Sequence, residues 1–297
     1  MKVLVAGWFS FPKMGATAGD FLARDVVCGW LDEAGRSYDV ALADPFRNGV
    51  DWQAVDANRY SDVVFVCGPF GNGWPIPEFI ARFTGRRLIG VNLSMLEPLE
   101  HWNPFDLLLE RDSSRLSRPD VSLLAPLKRV PVVGIVRVHI QTEYPEGLHE
   151  VANRAIERLV ASRAMAAVPI DTRLDVNVTG LRSAAEIESL IARMDVVLTT
   201  RLHGLVLAIK NGVPAVVVDP IGQGAKVLRQ AKALSWKVVF TADDLSDVAL
   251  TEAFDWALTE DARVAASNCR ERGVGRLQEA RDRFLSAFAG CDSAVEA

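Results

Sequence analysis

Cysteine is scarce in this sequence, with four residues in 297, and none stands near another cysteine or at ligand spacing from a histidine. A zinc site and a disulfide framework are therefore not expected, and isolated thiols are typical of a reducing compartment. The cysteines are Cys28, Cys67, Cys269 and Cys291. The sequence also lacks an apolar run of the roughly 18 residues that a membrane helix needs, and a signal segment. We expect a soluble, cytoplasmic protein without an integral membrane segment.

An excess of positive charge is absent as well. The 33 Lys and Arg residues face 38 Asp and Glu residues, which gives a formal net charge of -5. Because nucleic-acid binding usually requires a basic surface, no nucleic-acid partner is expected. The hydrophobic content of 49% and the charged content of 24% are ordinary for a soluble globular protein. The length suffices for two domains of about 150 residues each.

Short apolar runs alternate with amphipathic stretches in the first part of the chain. Runs that are bounded by glycine, asparagine or charged residues are typical of central parallel strands. Their alternation with helices predicts a doubly wound α/β domain. The expected strands are Lys2–Ala6, Val63–Cys67, Leu88–Val91 and Leu107–Leu109, and the expected helices are Phe21–Glu33 and Ile76–Phe83.

A second α/β set follows the proline-containing segment Pro119–Pro131, which we interpret as a linker. Its expected strands are Val132–Val138, Met165–Val168, Val196–Thr199, Ala215–Val218 and Lys237–Phe240, and its expected helices are Leu148–Arg163, Ala184–Arg193, Leu205–Asn211 and Ala225–Leu234. We predict two Rossmann-like domains, over residues 1–125 and 126–297, with C-terminal helices packing across them. Since ligand sites favour domain interfaces, a central cleft is expected.

The segment Asp195–Asp219 carries the strongest indication of a site. It has the pattern of one βαβ unit, and Arg201 and His203 stand where its first strand gives way to the helix. Ligands of parallel sheets bind outside the carboxyl ends of the strands, where helix N-termini attract anions. Arginine matches carboxylate or phosphate, histidine can transfer a proton, and Gly204 would admit a ligand to the backbone. The alternative is a structural ion pair and a helix cap.

Two further charged residues end expected strands of the second domain. Arg137 is either a ligand contact or an ordinary salt-bridge partner, and Asp219 is a candidate for a polar contact in the same cleft. Solvated loop positions are the default interpretation for the polar residues that follow Arg137, namely His139, Glu143 and His149. Trp8 and Trp74 occupy glycine-containing loops, where an aromatic ring could stack on a sugar.

The block Thr200-Arg-Leu-His-Gly204, followed by an apolar helix and Gly212-Val-Pro214, resembles the most recognisable stretch of the polysaccharide pyruvyl transferase family. Weaker similarities extend the resemblance in order along the chain, roughly from Val3 to Phe240. They are Gly19-Asp20, Asp62–Phe70, Leu109–Ser114, Val133–Arg137 and Lys226. The loop from Gly7 to Asp20 is longer than the family's usual loop.

The resemblance implies a glycosyltransferase-B-like arrangement, with the acceptor on the N-terminal side and the donor on the C-terminal side. It implies transfer of pyruvate from phosphoenolpyruvate, as a ketal, onto hydroxyls of a sugar or glycan acceptor, without a metal or organic cofactor. The residues implied are His203 and Asp219 for catalysis, and Arg137, Arg201, Leu202, Gly204, Lys226 and Asp20 for substrate binding. The alternatives are a nucleotide-sugar-dependent glycosyltransferase and a non-catalytic anion- or sugar-binding homologue.

Overall fold

The chain forms two compact units, Met1–Lys128 and Arg129–Ala297. The computed structural model describes residues 1–139, 147–223 and 225–288. Each unit is built on a five-stranded sheet whose strand pairs are all parallel. The predicted α/β fold with two Rossmann-like domains is thereby confirmed. No helix within the described ranges is long and apolar enough to cross a membrane.

The sheet of the first unit has four strands at the positions expected from the sequence and one that was not expected. Its strands are β1 (Lys2–Gly7), β2 (Tyr38–Val40), β3 (Tyr60–Phe70), β4 (Arg87–Met95) and β5 (Leu107–Leu109), in the order β2-β1-β3-β4-β5. The helices are α1 (Ala18–Glu33) and α2 (Ile76–Arg82). β2 escaped prediction because it is a three-residue edge strand that is only half-buried.

Alternate residues of β3 supply two cores, because successive side chains of a strand point to opposite faces. Val63 and Phe65 belong to an aromatic-rich cluster that also contains Phe79. Val64 and Val66 belong to a second cluster of small aliphatic side chains. β3 is therefore buried on both faces, as a central strand of a doubly wound sheet is.

The first half of the expected linker packs against the first unit. Residues Val121–Leu124 form a short 3₁₀ turn that lies against α1. The Val121 N–H donates a hydrogen bond of 3.1 Å to Oδ1 of Asn92, in the middle of β4. The division between the units therefore comes later, between residues 128 and 129.

The sheet of the second unit repeats the topology of the first. Its strands are β6 (Val132–Val136), β7 (Ala166–Pro169), β8 (Val196–Thr199), β9 (Ala215–Asp219) and β10 (Val239–Thr241), in the order β10-β9-β8-β6-β7. In both sheets the first strand of the unit lies between its second and third strands. The point where the chain reverses its direction across the sheet is the place where open α/β sheets bind ligands, and here it lies between β6 and β8.

Six helices accompany this second sheet within the described residues. They are α3 (His149–Ser162), α4 (Ala184–Ile191), α5 (Leu202–Lys210), α6 (Lys226–Leu234), α7 (Asp247–Ala257) and α8 (Glu260–Ser286). The first half of α8 packs on α5, α6 and α7, and it buries Ala266 and Cys269. The expected packing of the C-terminal helices across both domains stays a prediction.

Candidate functional site

Two buried threonines fix the ends of β6 and β8 against each other. Thr199 Oγ1 donates a hydrogen bond of 2.9 Å to the Val136 carbonyl. Thr200 Oγ1 accepts one of 2.8 Å from the Val138 N–H. Because both threonines are fully buried, these bonds are shielded from water. The chain that leaves β8, beginning with Arg201, is therefore held beside the end of β6.

Three ionisable side chains meet at the carboxyl ends of β6, β7 and β8. Nη1 of Arg201 lies 3.4 Å from Oδ1 of Asp171, and Nε2 of His139 lies 3.6 Å from Oδ2 of the same carboxylate. The Asp171 side chain is only 3% exposed, whereas that of Arg201 is 21% exposed. A buried carboxylate thus links a partly accessible guanidinium to a half-exposed imidazole at the switch point of the sheet.

The electrostatics of this cluster keep both members of the ion pair charged. Burial by itself would raise the pKa of Asp171, but backbone N–H donors from Arg173 and Val178, with the charges of His139 and Arg201, bring that pKa below its usual value. Burial lowers the pKa of the Arg201 guanidinium, and the charge of Arg173 adds to this, while Asp171 opposes it. An arginine remains cationic at neutral pH in spite of such a shift.

Helix α5 begins directly at the cluster. Arg201 is its N-cap residue, and Leu202, His203 and Gly204 form the first turn, which starts earlier than the sequence suggested. The first N–H groups of a helix have no partner inside the helix, and they attract anions together with the helix dipole. The His203 side chain is exposed at this end, and no described residue hydrogen-bonds its imidazole.

The glycine and the leucine of the block serve packing. A Cβ atom at Gly204 would stand 2.1 Å from Thr199 Oγ1 and 2.9 Å from Val136 Cγ1. The missing side chain therefore lets α5 approach the ends of β8 and β6. A contact of a ligand with the Gly204 backbone stays a prediction. Leu202 packs against the core beside Leu205, so its side chain contributes to the fold.

Arg137 follows β6 as expected and is already paired. Its Nη1 donates a hydrogen bond to Oε1 of Glu157 on α3. Both side chains are about half-exposed, so the pair is accessible to solvent. This geometry agrees with the interpretation of Arg137 as a salt-bridge partner. A role of Arg137 in anion binding would require a ligand to replace Glu157.

Asp219 has a structural task in the loop after β9, and its expected catalytic role stays a prediction. Its Oδ1 accepts a hydrogen bond of 3.0 Å from the Ile221 N–H, and its Oδ2 accepts two of 2.8 Å from the N–H groups of Ala225 and Leu228. The residue is completely buried. Asp219 therefore holds the loop after β9 and the first turn of α6. Lys226, the first residue of α6, is half-buried there and takes part in interactions of its own.

We predict that Asp219→Ala lowers the free energy of unfolding by about 3 kcal/mol or more, because three backbone donors, one of them fully buried, lose their acceptor. The measurement is urea unfolding followed by circular dichroism. The matched control is Asp243→Ala, which removes an exposed carboxylate that accepts one N–H, from Gln223, at 2.9 Å. That control should change the free energy of unfolding much less than Asp219→Ala does, because the carboxylate of Asp243 is exposed to solvent. Native stability of Asp219→Ala with lost turnover would restore the catalytic interpretation.

Asp20, the one expected site residue in the first unit, caps α1. Its Oδ2 accepts hydrogen bonds from the backbone N–H and the hydroxyl of Thr17, at 2.7 and 2.8 Å. Trp8 covers Gly68, where a Cβ atom would stand 2.2 Å from the indole, and its Nε1 donates to the Pro69 carbonyl at 2.9 Å. Trp8 is thus a packing residue, and a substrate contact of Asp20 stays a prediction.

Sequence reasoning overlooked Asp171 and assigned His139 to a solvated loop. The available signal was position, since Asp171 follows the expected strand Met165–Val168 by three residues and Arg201 follows Val196–Thr199 by two. His149 is also not a solvated loop residue, because it is the buried first residue of α3. Glu143 lies outside the described residues. Within the described ranges no three His, Cys, Asp or Glu side chains are placed to hold a metal ion.

Fold and site together define the class of this protein. It is an α/β protein with two doubly wound parallel sheets, and the cluster of Arg201, Asp171 and His139 lies at the switch point of the second. The family model of polysaccharide pyruvyl transferases matches residues 122–220. That range contains Arg137, Asp171, Arg201 and His203, so the resemblance is confirmed for the part of the chain that carries the site. The match supports a transferase enzyme.

The similar solved structures include sugar transferases and UDP-N-acetylglucosamine 2-epimerases by their titles. Spinosyn forosaminyltransferase SpnP is 14% identical and covers 94% of this chain and 98% of its own, with a TM-score of 0.34. The glycotransferase of kitacinnamycin is 10% identical, with coverages of 95% and 98% and a TM-score of 0.34. Glycosyltransferase VinC, solved with dTDP, is 12% identical, with coverages of 95% and 100% and a TM-score of 0.32. No curated protein matches the sequence.

Proposed function

We propose that this protein transfers pyruvate from phosphoenolpyruvate to two hydroxyls of a sugar-containing acceptor, forming a cyclic ketal and releasing phosphate. The observation that carries the proposal is the placement of Arg201 and His203 at the start of α5, beside the ends of β6 and β8. The family match over the same residues supports it. Phosphoenolpyruvate is a co-substrate here, and no cofactor takes part in the proposal.

The donor would be bound through its two anionic groups. The guanidinium of Arg201 offers parallel N–H donors to a carboxylate or a phosphate. The first turn of α5 offers further N–H groups and the positive end of the helix dipole. Arg137 could contribute after Glu157 is exchanged for the ligand. The backbone at Arg201 and at the start of α5 is held by the buried hydrogen bonds of Thr199 and Thr200, so little backbone reorganisation is needed when the anion arrives.

The chemistry assigns proton transfer to His203. Its imidazolium protonates the methylene carbon of phosphoenolpyruvate, which leaves an oxocarbenium centre at the neighbouring carbon. One acceptor hydroxyl attacks that carbon, and its proton returns to the imidazole. The C–O bond to phosphate then breaks, the phosphate leaves with the electron pair, and a second hydroxyl closes the ketal. The proton of this second hydroxyl leaves with the phosphate, so a diol and phosphoenolpyruvate give a ketal and hydrogen phosphate.

The test is product analysis with the full chain. Purified protein is incubated with phosphoenolpyruvate and a panel of β-galactosides, N-acetylmannosaminides and glucosides, and both phosphate release and the mass gain of a pyruvyl ketal are measured. Phosphate release that depends on acceptor, with a ketal product, supports the proposal. Sugar transfer from nucleotide sugars in the absence of phosphoenolpyruvate would replace it with glycosyl transfer. Binding of phosphoenolpyruvate without turnover on any acceptor would favour the non-catalytic homologue.

A further inference from the structure

The loop between β7 and α4 contains Asp171 and is held in shape by its own hydrogen bonds. The Asp171 N–H donates to Thr179 Oγ1 at 3.2 Å, and Asn177 Nδ2 donates to the carbonyls of Asp171 and Arg173 at 2.9 and 2.7 Å. Asn177 Oδ1 accepts the Thr179 N–H at 2.9 Å. The loop therefore keeps its shape through its own hydrogen bonds, without a regular strand or helix.

This loop places a second arginine beside Arg201. The Arg173 N–H donates a hydrogen bond of 2.9 Å to Asp171 Oδ1, the same oxygen that lies 3.4 Å from Nη1 of Arg201. The Arg173 side chain extends along the loop to Asp175, where Nε and Nη2 contact the two carboxylate oxygens at 3.1 and 2.6 Å. The Asp175 side chain is 70% exposed. Its carboxylate thus occupies the face of Arg173 on which a soluble anion would bind.

The charges around Asp171 call for an anionic ligand. The buried carboxylate of Asp171 neutralises Arg201 and also faces His139. The charge of Arg173 disfavours the charge on Arg201, while the charges of Asp171 and Asp175 favour it. A ligand with two anionic groups would relieve this repulsion, and one group could engage each guanidinium. Arg137, the arginine expected for this task, pairs with Glu157 on α3.

We propose that Arg173 is the second guanidinium that binds the donor, and that the exposed carboxylate of Asp175 holds its place until the donor displaces it. The identity of the ligand, phosphoenolpyruvate, rests on the proposed function. The pairing of Arg201 with Arg173 defines the ligand class more generally, as a small molecule that carries a carboxylate and a phosphate ester. Asp175 is then a competitor for the site, while Asp171 is a positioning residue.

The two members of the Arg173–Asp175 pair should affect affinity in opposite directions. Arg173→Gln should weaken phosphoenolpyruvate binding about tenfold or more, because a charge-assisted contact is lost. Asp175→Asn should strengthen it by about two- to fivefold, because an exposed and therefore weak ion pair no longer competes. In the Arg173→Gln background, Asp175→Asn should have no effect. Isothermal titration calorimetry of the full chain measures all four affinities.

Parallel titrations with inorganic phosphate separate this inference from the proposal that phosphoenolpyruvate is the donor. The control variant is Arg182→Gln, because the Arg182 side chain is 88% exposed on the same segment. Binding of phosphate but not of phosphoenolpyruvate by the natural protein would overturn the proposal that phosphoenolpyruvate is the donor. The phosphate affinities of the variants would still test whether Arg173 binds the anion. If Arg173→Gln and Asp175→Asn weaken ligand binding equally, the ion pair has only a structural role, and the inference is overturned. Unchanged affinity in Arg173→Gln, or no binding of either probe by the natural protein, would overturn it as well.

Discussion

Arg201→Met is expected to weaken phosphoenolpyruvate binding by about 100-fold or more. The substitution removes the partly buried guanidinium that faces the start of α5, and charge-assisted hydrogen bonds of this kind are the strong ones. It also leaves the carboxylate of Asp171 in place, which then repels the incoming anion instead of neutralising its partner. Titration calorimetry of the full chain measures the loss, and urea unfolding verifies that the variant is folded.

The ion pair provides its own control for this prediction. In the double variant Arg201→Met, Asp171→Asn the repelling charge is gone, so binding should recover in part without reaching the natural affinity. Arg201→Lys should lie between the natural protein and Arg201→Met, because an ammonium group cannot present two parallel donors. Binding of phosphoenolpyruvate by Arg201→Met with natural affinity would remove Arg201 from the donor site.

The strands of the second unit could be predicted because each is a short apolar run with a polar or glycine boundary. β8 is fully buried and was predicted with its observed bounds, Val196–Thr199. β10, at Val239–Thr241, begins two residues and ends one residue later than expected, and it is only half-buried. A continuous apolar run gives the signal, and the largely exposed edge strands β5 and β7 have one, whereas Asp39 interrupts the edge strand β2.

The site was predictable only where its residues are close together in the sequence. Arg201 and His203 belong to one block, and a strand followed by a helix locates them at a sheet edge. Asp171 reaches the same edge through the strand order, which places β7 beside β6, and the sequence does not state that order. The structural role of Asp219 could not be predicted from the sequence either. The hydrogen bonds of its carboxylate depend on how the loop after β9 folds back.

The start of α5 illustrates a third kind of difficulty. The sequence suggested a polar turn up to Gly204, because Arg201 carries none of the side-chain oxygens that usually mark a helix N-cap. In the structure Thr199 Oγ1 accepts a hydrogen bond of 2.9 Å from the Arg201 N–H and so turns the chain into the helix. Thr199 therefore acts from a position before the helix, and Gly204 permits the close approach of α5. Together they place His203 in the first turn.

His203→Gln is expected to lower kcat by about 10²- to 10⁴-fold while leaving phosphoenolpyruvate affinity within a factor of about three, because positioned acid catalysis contributes that much and an amide cannot deliver the proton. The fold should be preserved, since the side chain is exposed and no described residue hydrogen-bonds it. Steady-state kinetics with a genuine acceptor give kcat, and calorimetry gives the donor affinity separately. His139→Gln is the matched control. It removes an imidazole that faces Asp171, and it should lower kcat less than about tenfold.

The split between turnover and affinity distinguishes two roles for the imidazole. If His203 only holds the phosphate, the loss in His203→Gln should be in donor affinity, and kcat at saturating phosphoenolpyruvate should stay near the natural value. If His203 supplies the proton, affinity should persist and the chemical step should fail, which single-turnover measurements detect directly. Near-natural turnover together with natural affinity would exclude both roles, and the start of α5 would then contribute through its backbone N–H groups and Arg201 alone.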